Sequence, residues 1–217
     1  MIKKIKEKVI STFITNEEEE GIEEKSIMII DPSMLGESKE PDMRIIGLFT
    51  DVVEEKVAEL VQALLYLNEL DKLQEDESKK KPIEFYISTL GGSADDMFAL
   101  YDVMRVVKKT SGIHTIGVGK VMSAGVLLLA AGTKGERQIG KNCRVMIHSV
   151  IAGSHGTLPN LANEMEAIQK LQEDYIAALV DETNMTKDQI KNMLERKVNV
   201  YLSAEEAVKL GIADIII

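Results

Sequence analysis

From Arg44 onward the apolar positions switch between two patterns, short unbroken runs and spacings of three and four. Ile45-Ile46-Gly47-Leu48-Phe49 reads as a buried strand, and Glu54 to Gln74 sets Val57, Leu60, Val61, Leu64, Leu67, Leu70 and Leu73 on one helical face. The charged stretch Glu75 to Lys81 before Pro82 has no apolar anchor and predicts a surface connection. Ile83 to Ser88 is the next strand. Gly91-Gly92 turns it into a helix with Met97, Leu100, Tyr101 and Met104 inward, and Ser93 with Asp96 forms a capping box at its start. Strands at Ile113 to Val118 and Arg144 to Val150 flank a helix over Ser123 to Ala131. A long helix from Pro159 to about Glu182 then turns Leu161, Met165, Ile168, Leu171, Tyr175 and Leu179 inward.

Near the end, Thr186 with Gln189 caps a short helix through Leu194, and Val198 to Leu202 is extended. Ser203 with Glu206 caps Ala204 to Leu210, Gly211 stops that helix, and Ile212 to Ile217 is a last strand. This alternation predicts an α/β domain over 44–217, built of parallel strands joined by right-handed helical crossovers. Residues 1–43 read differently. A basic start, the acidic run Glu17 to Glu20, one apolar patch at Ile27 to Ile30 and the breakers Pro32, Gly36 and Pro41 predict an arm with at most one strand.

At 217 residues the length fits one such domain. The balance of 26 Lys+Arg against 36 Asp+Glu, net −10, argues against a nucleic-acid partner. The single cysteine, Cys143, excludes an intramolecular disulfide framework, and no Cys/His cluster offers a metal site, so neither metal nor cofactor is expected. No run approaches the roughly 18 apolar residues that span a bilayer. The basic start is followed by no apolar signal region, so no membrane partner and a cytoplasmic location are expected.

Chemistry is most readily placed on Gly117 to Gly125, where a strand feeds a serine, Ser123, that opens a helix. Ser123 has two readings: a helix cap whose hydroxyl accepts from the N–H two or three residues on, or a nucleophile beside unpaired helix N–H groups that can hold an oxyanion. The G-x-S-x-G elbow is incomplete, because Val121 stands where its first glycine would be. Of three histidines, His114 lies within a strand and reads as structural, and His155 lies in a glycine-bounded loop and reads as solvated. His148 ends a strand, where parallel sheets place their sites, and is either structural or a base. Period-two alternation turns Cys143 away from it, which leaves a buried thiol rather than a Cys/His dyad. Gly91-Gly92 lacks the further residues of a nucleotide turn, yet lets a peptide or acyl oxygen approach main-chain N–H groups. Ser149 to Gly156 has few core residues and reads as an edge for an extended peptide.

Taken in order and spacing, Tyr86-Ile87-Ser88 with Gly91-Gly92-Ser93, Tyr101-Asp102-Val103-Met104, Met122-Ser123-Ala124-Gly125, Arg144-Val145-Met146-Ile147-His148 and Leu202-Ser203-Ala204-Glu205-Glu206-Ala207 resemble the proteolytic subunit of the Clp protease. The resemblance implies a crotonase-like (ClpP-type) α/β subunit with a protruding handle helix from Pro159, assembled into two stacked heptameric rings. It implies a serine endopeptidase fed with peptides and unfolded proteins by a separate AAA+ unfoldase. Ser123 would be the nucleophile, His148 the base, Gly92 and Ala124 the oxyanion-hole donors, and Gly91, Gly92, Val150 and Gly153 substrate contacts, with Gly153 to Gly156 lining the substrate strand. The arm 1–43 would form an axial loop. The triad acid of the family falls on Asn199, a ring-locking arginine falls on Val198, and Ser149-Val150 stand where Gln-Pro is usual. An asparagine oxygen accepts from the imidazole but brings no charge to stabilise an imidazolium. Asp181 and Asp174 are the alternative carboxylates. Two further readings are a catalytically impaired ring subunit that binds partners, and an acyl-CoA hydratase or isomerase of the crotonase fold.

Overall fold

The computed structural model describes residues 43–195 and 199–217, so the expectations for the arm up to Asp42 and for Val198 lie outside the described residues. Strands β1 (Ile45–Leu48), β2 (Ile83–Thr89) and β3 (Ile113–Met122) are parallel neighbours. Helices α1 (Glu54–Leu73) and α2 (Ala94–Val107) make the crossovers between them, since parallel strands cannot be joined by a tight turn. β3 is the branch point. Ile116 and Gly117 pair with β4 (Gln138–Ile139), whose other neighbour is β7 (Ile215–Ile216), and both pairings are parallel. Lys120 to Met122 pair instead with β5 (Arg144–Ile147), and β5 takes β6 (Val200–Leu202) antiparallel.

The change of partner follows a register shift between Ile87 and Thr89, near Gly119 in the left-handed region at φ +67°. A bulge of this kind bends a strand. The end of β3 therefore leaves the line of β1 and β2 and carries the next residue, Ser123, toward β5.

The core lies between this sheet and its helices. Every residue of α3 (Ala124–Ala130) is buried, packed with Leu48, Phe85, Ile87 and Met104. Two further helices, α5 (Lys187–Leu194) and α6 (Ala204–Lys209), begin with complete capping boxes at Thr186/Gln189 and Ser203/Glu206, as their sequences predict. Behind α3, buried Arg137 grips Asp214 through two bonds of 2.7 and 2.6 Å and donates to the carbonyls of Ala130 and Glu182. These bonds hold the Asp214 carboxyl below the usual carboxylate range.

Several expectations change in the three-dimensional setting. β1 is a strand but buries only Leu48, because it is the sheet's edge. On α1, Leu70 and Leu73 are exposed while Asn68 and Asp71 are buried. Asp71 is tolerated there because Arg44 pairs with it and Ser111 Oγ donates to it. At Ser93 only half of the capping box forms. Its Oγ accepts from Asp96 N at 3.2 Å, but its own N–H goes to Val52 O at 2.9 Å. β5 and β6 break the all-parallel pattern, and the last strand shrinks to two residues because Ile212 and Ala213 turn into the core first.

The largest change concerns α4 (Leu158–Glu182). Tyr175, Ile176, Ala178 and Leu179 are buried, but Leu158, Leu161 and Met165 are exposed, because nothing among the described residues covers the first half of the helix. It protrudes as a handle. Among the described residues no helix is long and apolar enough to cross a membrane.

Candidate active site

Ser123 occupies the step between β3 and α3 with φ +53° and ψ −121°, and among the described residues it is the single non-glycine with positive φ. Such a conformation costs about 1–3 kcal/mol and persists only when the surroundings hold it. They do so through every main-chain group of the residue. Its N–H donates to Met146 O at 2.8 Å, and its carbonyl accepts from Val126 N at 3.0 Å and from the Tyr175 hydroxyl at 3.2 Å. Burial pushes that tyrosine's ionisation well above the ordinary range, so it stays a neutral donor. The Ser123 hydroxyl makes no capping bond. The cap reading therefore falls, and a backbone fixed at some energetic expense presents an unengaged hydroxyl.

The glycine missing from the local elbow pattern is supplied by another strand. A Cβ on Gly91 would stand 2.6 Å from Ser123 Cβ and 3.1 Å from its Oγ, so only glycine lets the β2 turn pass beneath the serine. The main-chain groups of Gly91 are already engaged within the subunit. Its N–H donates to Thr89 Oγ1 at 3.0 Å and its carbonyl accepts from Val52 N at 2.7 Å. Gly92 is different. Val52 bridges it in parallel, bonding the carbonyl of Gly91 and the N–H of Ser93. A parallel bridge of this kind turns the intervening Gly92 N–H to the opposite side. A Cβ at Gly92 would lie 2.2 Å from Val52 O, so this approach also requires glycine. Ala124 opens α3, where a first-turn N–H has no partner within its helix.

Ser123, Gly92, Ala124 and His148 line one cavity of about 480 Å³ at the C-terminal ends of β2, β3 and β5, closed on its far side by Ile168, Leu171 and Tyr175 of α4. His148 follows β5 and is half-buried. Pairing of Met122 with Met146 brings the residues after β5 alongside the start of α3. The His148 Nδ1–H donates to the carbonyl of Ser149 at 2.5 Å. A carbonyl only accepts, so this contact is a hydrogen bond in the tautomer with the proton on Nδ1, which leaves Nε2 as an acceptor. Among the described residues no hydrogen bond joins Ser123 Oγ to His148 directly, a separation common in unliganded catalytic pairs.

The other candidates separate cleanly. His114 sits on β3 with Nε2 3.9 Å from Glu136, and His155 is exposed; neither lines the cavity. Cys143 is a buried thiol pushed up to about 11 by desolvation. Asp174 pairs with Lys170, and with Asp181 it lines a separate cavity beside Tyr101 and Arg105, so neither carboxylate faces His148. Asn199 is exposed and precedes β6. The antiparallel register ends with Ile147 opposite Val200, so His148 and Asn199 are the residues that flank this last pair. Val150 lines the cavity and its N–H donates to Gln172 Oε1 at 3.2 Å; Gly153 is exposed outside it.

Four contributors lie beyond the residues singled out for chemistry: Val52, Tyr175, Gln172 and the Ser149 carbonyl. Tyr175 alone carries a usable signal, since a tyrosine on an inward helical face needs a partner for its hydroxyl.

The profile of the Clp protease family matches residues 37–217. The ATP-dependent Clp protease proteolytic subunit 1 of Prochlorococcus marinus subsp. pastoris is 34% identical over 174 residues, 80% of this chain and 83% of the relative. Its counterpart from Prochlorococcus marinus strain MIT 9312 is 35% identical, covering 80% of this chain and 84% of its own. The ATP-dependent Clp protease proteolytic subunit of Deinococcus radiodurans is 34% identical over 174 residues, 80% of each chain.

Proposed function

Because the chain belongs to the Clp protease family, we propose that it is a serine endopeptidase subunit in which Ser123 attacks the peptide carbonyl and His148 is the general base. The observation that carries this reading is the Ser123 hydroxyl, free of any capping bond and held at positive φ in the cavity it shares with His148. Ser123 Oγ bonds to the carbonyl carbon as its proton passes to His148 Nε2, the nitrogen left free by the Ser149 contact. The N–H groups of Gly92 and Ala124 stabilise the oxyanion. Collapse of the tetrahedral intermediate breaks the C–N bond, the imidazolium returns the proton to the departing amine, and water then hydrolyses the acyl-enzyme by the same steps. The substrate runs extended past Gly92, Val150 and Gly153.

Asn199 is a positioning residue in this scheme, a reading supported by its place next to the last β5–β6 pair. The Ser149 carbonyl already favours the Nδ1–H tautomer, so the loss of the family's aspartate withdraws charge stabilisation more than orientation. The exposed apolar start of α4 supports packing between stacked heptameric rings, and an AAA+ unfoldase delivers substrate in the cytoplasm. A second reading, a catalytically impaired ring subunit, is favoured by one observation: the only partner of the imidazole among the described residues is a neutral carbonyl.

Peptide hydrolysis decides between them. Ser123→Ala and His148→Ala are each expected to lower kcat/KM on a fluorogenic peptide by about 10³-fold or more. Hydrolysis surviving in both variants would overturn the scheme, and a parent no faster than its Ser123→Ala variant would select the impaired subunit.

A further inference from the structure

The cavity around Ser123 holds a charge that the hydrolytic scheme leaves unused. Asp95, in the first turn of α2, lines it beside Ala94 and Met97. Among the described residues no lysine or arginine lines the same cavity, and no ion pair or hydrogen bond engages the Asp95 carboxylate. An acidic residue at a helix start favours the helix dipole, but Asp96 already provides that one position on and lies outside the cavity. The placement of Asp95 is therefore surplus to the needs of the helix.

Resting on Ser123 and His148 as the hydrolytic pair, we propose that Asp95 is a specificity-determining residue that favours substrates with a lysine or arginine side chain next to the bond that is cut. The walls around it suit such a side chain. Ile168 and Leu171, both half-buried, offer apolar surface to the methylene stem, while the cationic head reaches the exposed carboxylate. A glutamate or aspartate in the same place meets a like charge and is disfavoured. Because Asp95 is exposed, the preference is modest, about two- to fivefold, and it weakens as salt rises.

The test uses the full-length protein and two fluorogenic peptides that differ only by arginine or citrulline before the scissile bond, equal in shape but not in charge. The parent is expected to favour arginine by about two- to fivefold in kcat/KM at low salt, with the ratio falling to about one in Asp95→Asn. Asp95→Lys is expected to reverse the preference toward a glutamate peptide. The net charge of −10 attracts any basic peptide, but removing one of 36 acidic residues barely changes that field. A parent ratio of one, or a ratio equally large in Asp95→Asn, overturns the proposal. The same pair of peptides, read by fluorescence polarisation on Ser123→Ala protein, gives the ratio in Kd without turnover. An arginine preference that Asp95→Asn abolishes, in a protein whose Ser123 resists a fluorophosphonate, would refute the hydrolytic pair and leave the Asp95 contact standing.

Discussion

Replacing Gly91 with alanine introduces a methyl group directly beneath the proposed nucleophile. The new Cβ would stand 2.6 Å from Ser123 Cβ and 3.0 Å from Met122 O, whereas carbon atoms rest about 3.5–4.0 Å apart. One of the two must therefore retreat by about 1 Å. Neither is free to do so. Ser123 is bonded to Met146, Val126 and Tyr175, and Gly91 is bonded to Thr89 and Val52. Alanine at φ +105° adds strain of its own, about 1–3 kcal/mol for such a conformation. A further overpacking penalty of about 1–3 kcal/mol gives a total near 3 kcal/mol when part of the overlap relaxes. For a chain of this length that is roughly 6–12 °C in Tm. A displacement of about 1 Å at a reacting atom lowers kcat/KM by about 10²-fold. Thermal melts and fluorogenic peptide hydrolysis read the two effects. Gly112→Ala is the control, because nothing lies nearer than 3.6 Å to its Cβ position and it is outside the cavity. Activity within threefold of the parent and an unchanged Tm for Gly91→Ala would refute the reasoning.

Two other substitutions probe separate parts of the account. Asn199→Asp is expected to raise kcat/KM by about ten- to a hundredfold, less than the roughly 10⁴-fold that separates Asp from Asn in another serine protease, because the Ser149 carbonyl already favours the tautomer. A change below threefold in steady-state hydrolysis would refute the positioning role of Asn199. Asp214→Asn leaves buried Arg137 without its carboxylate and is expected to cost about 2–3 kcal/mol, discounted because Asp214 is partly exposed, or about 4–12 °C in Tm. The folded-state ionisation of Asp214 is depressed, so its contribution is complete above an unfolded carboxyl's value of about 4 and is lost as pH falls through the lower folded value. Melts should show the gap between parent and Asp214→Asn closing below about pH 4; an equal gap at about pH 3 and pH 7 would count against the ion pair.

The α/β order was legible because each strand and helix buries its own local face, and period alone reports that. Asp71 was not legible. Its partners Arg44 and Ser111 lie 27 and 40 residues away, beyond any local window. The stripe of α4 from Leu161 to Leu179 reads as one inward face, yet only its second half meets this subunit's core, since burial depends on what lies opposite rather than on spacing. At the site, the incomplete elbow pattern understated Ser123, because the close glycine is Gly91, contributed by β2 rather than by the residues beside the serine. Gly91 could not be told from Gly92 by type. What separates them is Val52, whose bridge engages one side of the turn and leaves the Gly92 N–H on the other. Asn199 drew notice only through the family resemblance, and its place beside the last β5–β6 pair depends on a long-range pairing.

The central claim is that Ser123 is a nucleophile made reactive by His148. Incubation with a fluorophosphonate, followed by peptide mass mapping, tests it most directly. A single adduct on Ser123 is predicted, absent in Ser123→Ala and formed at least 10²-fold more slowly in His148→Ala. No adduct on Ser123 under conditions that modify an active relative, or labelling at the same rate without His148, would contradict it.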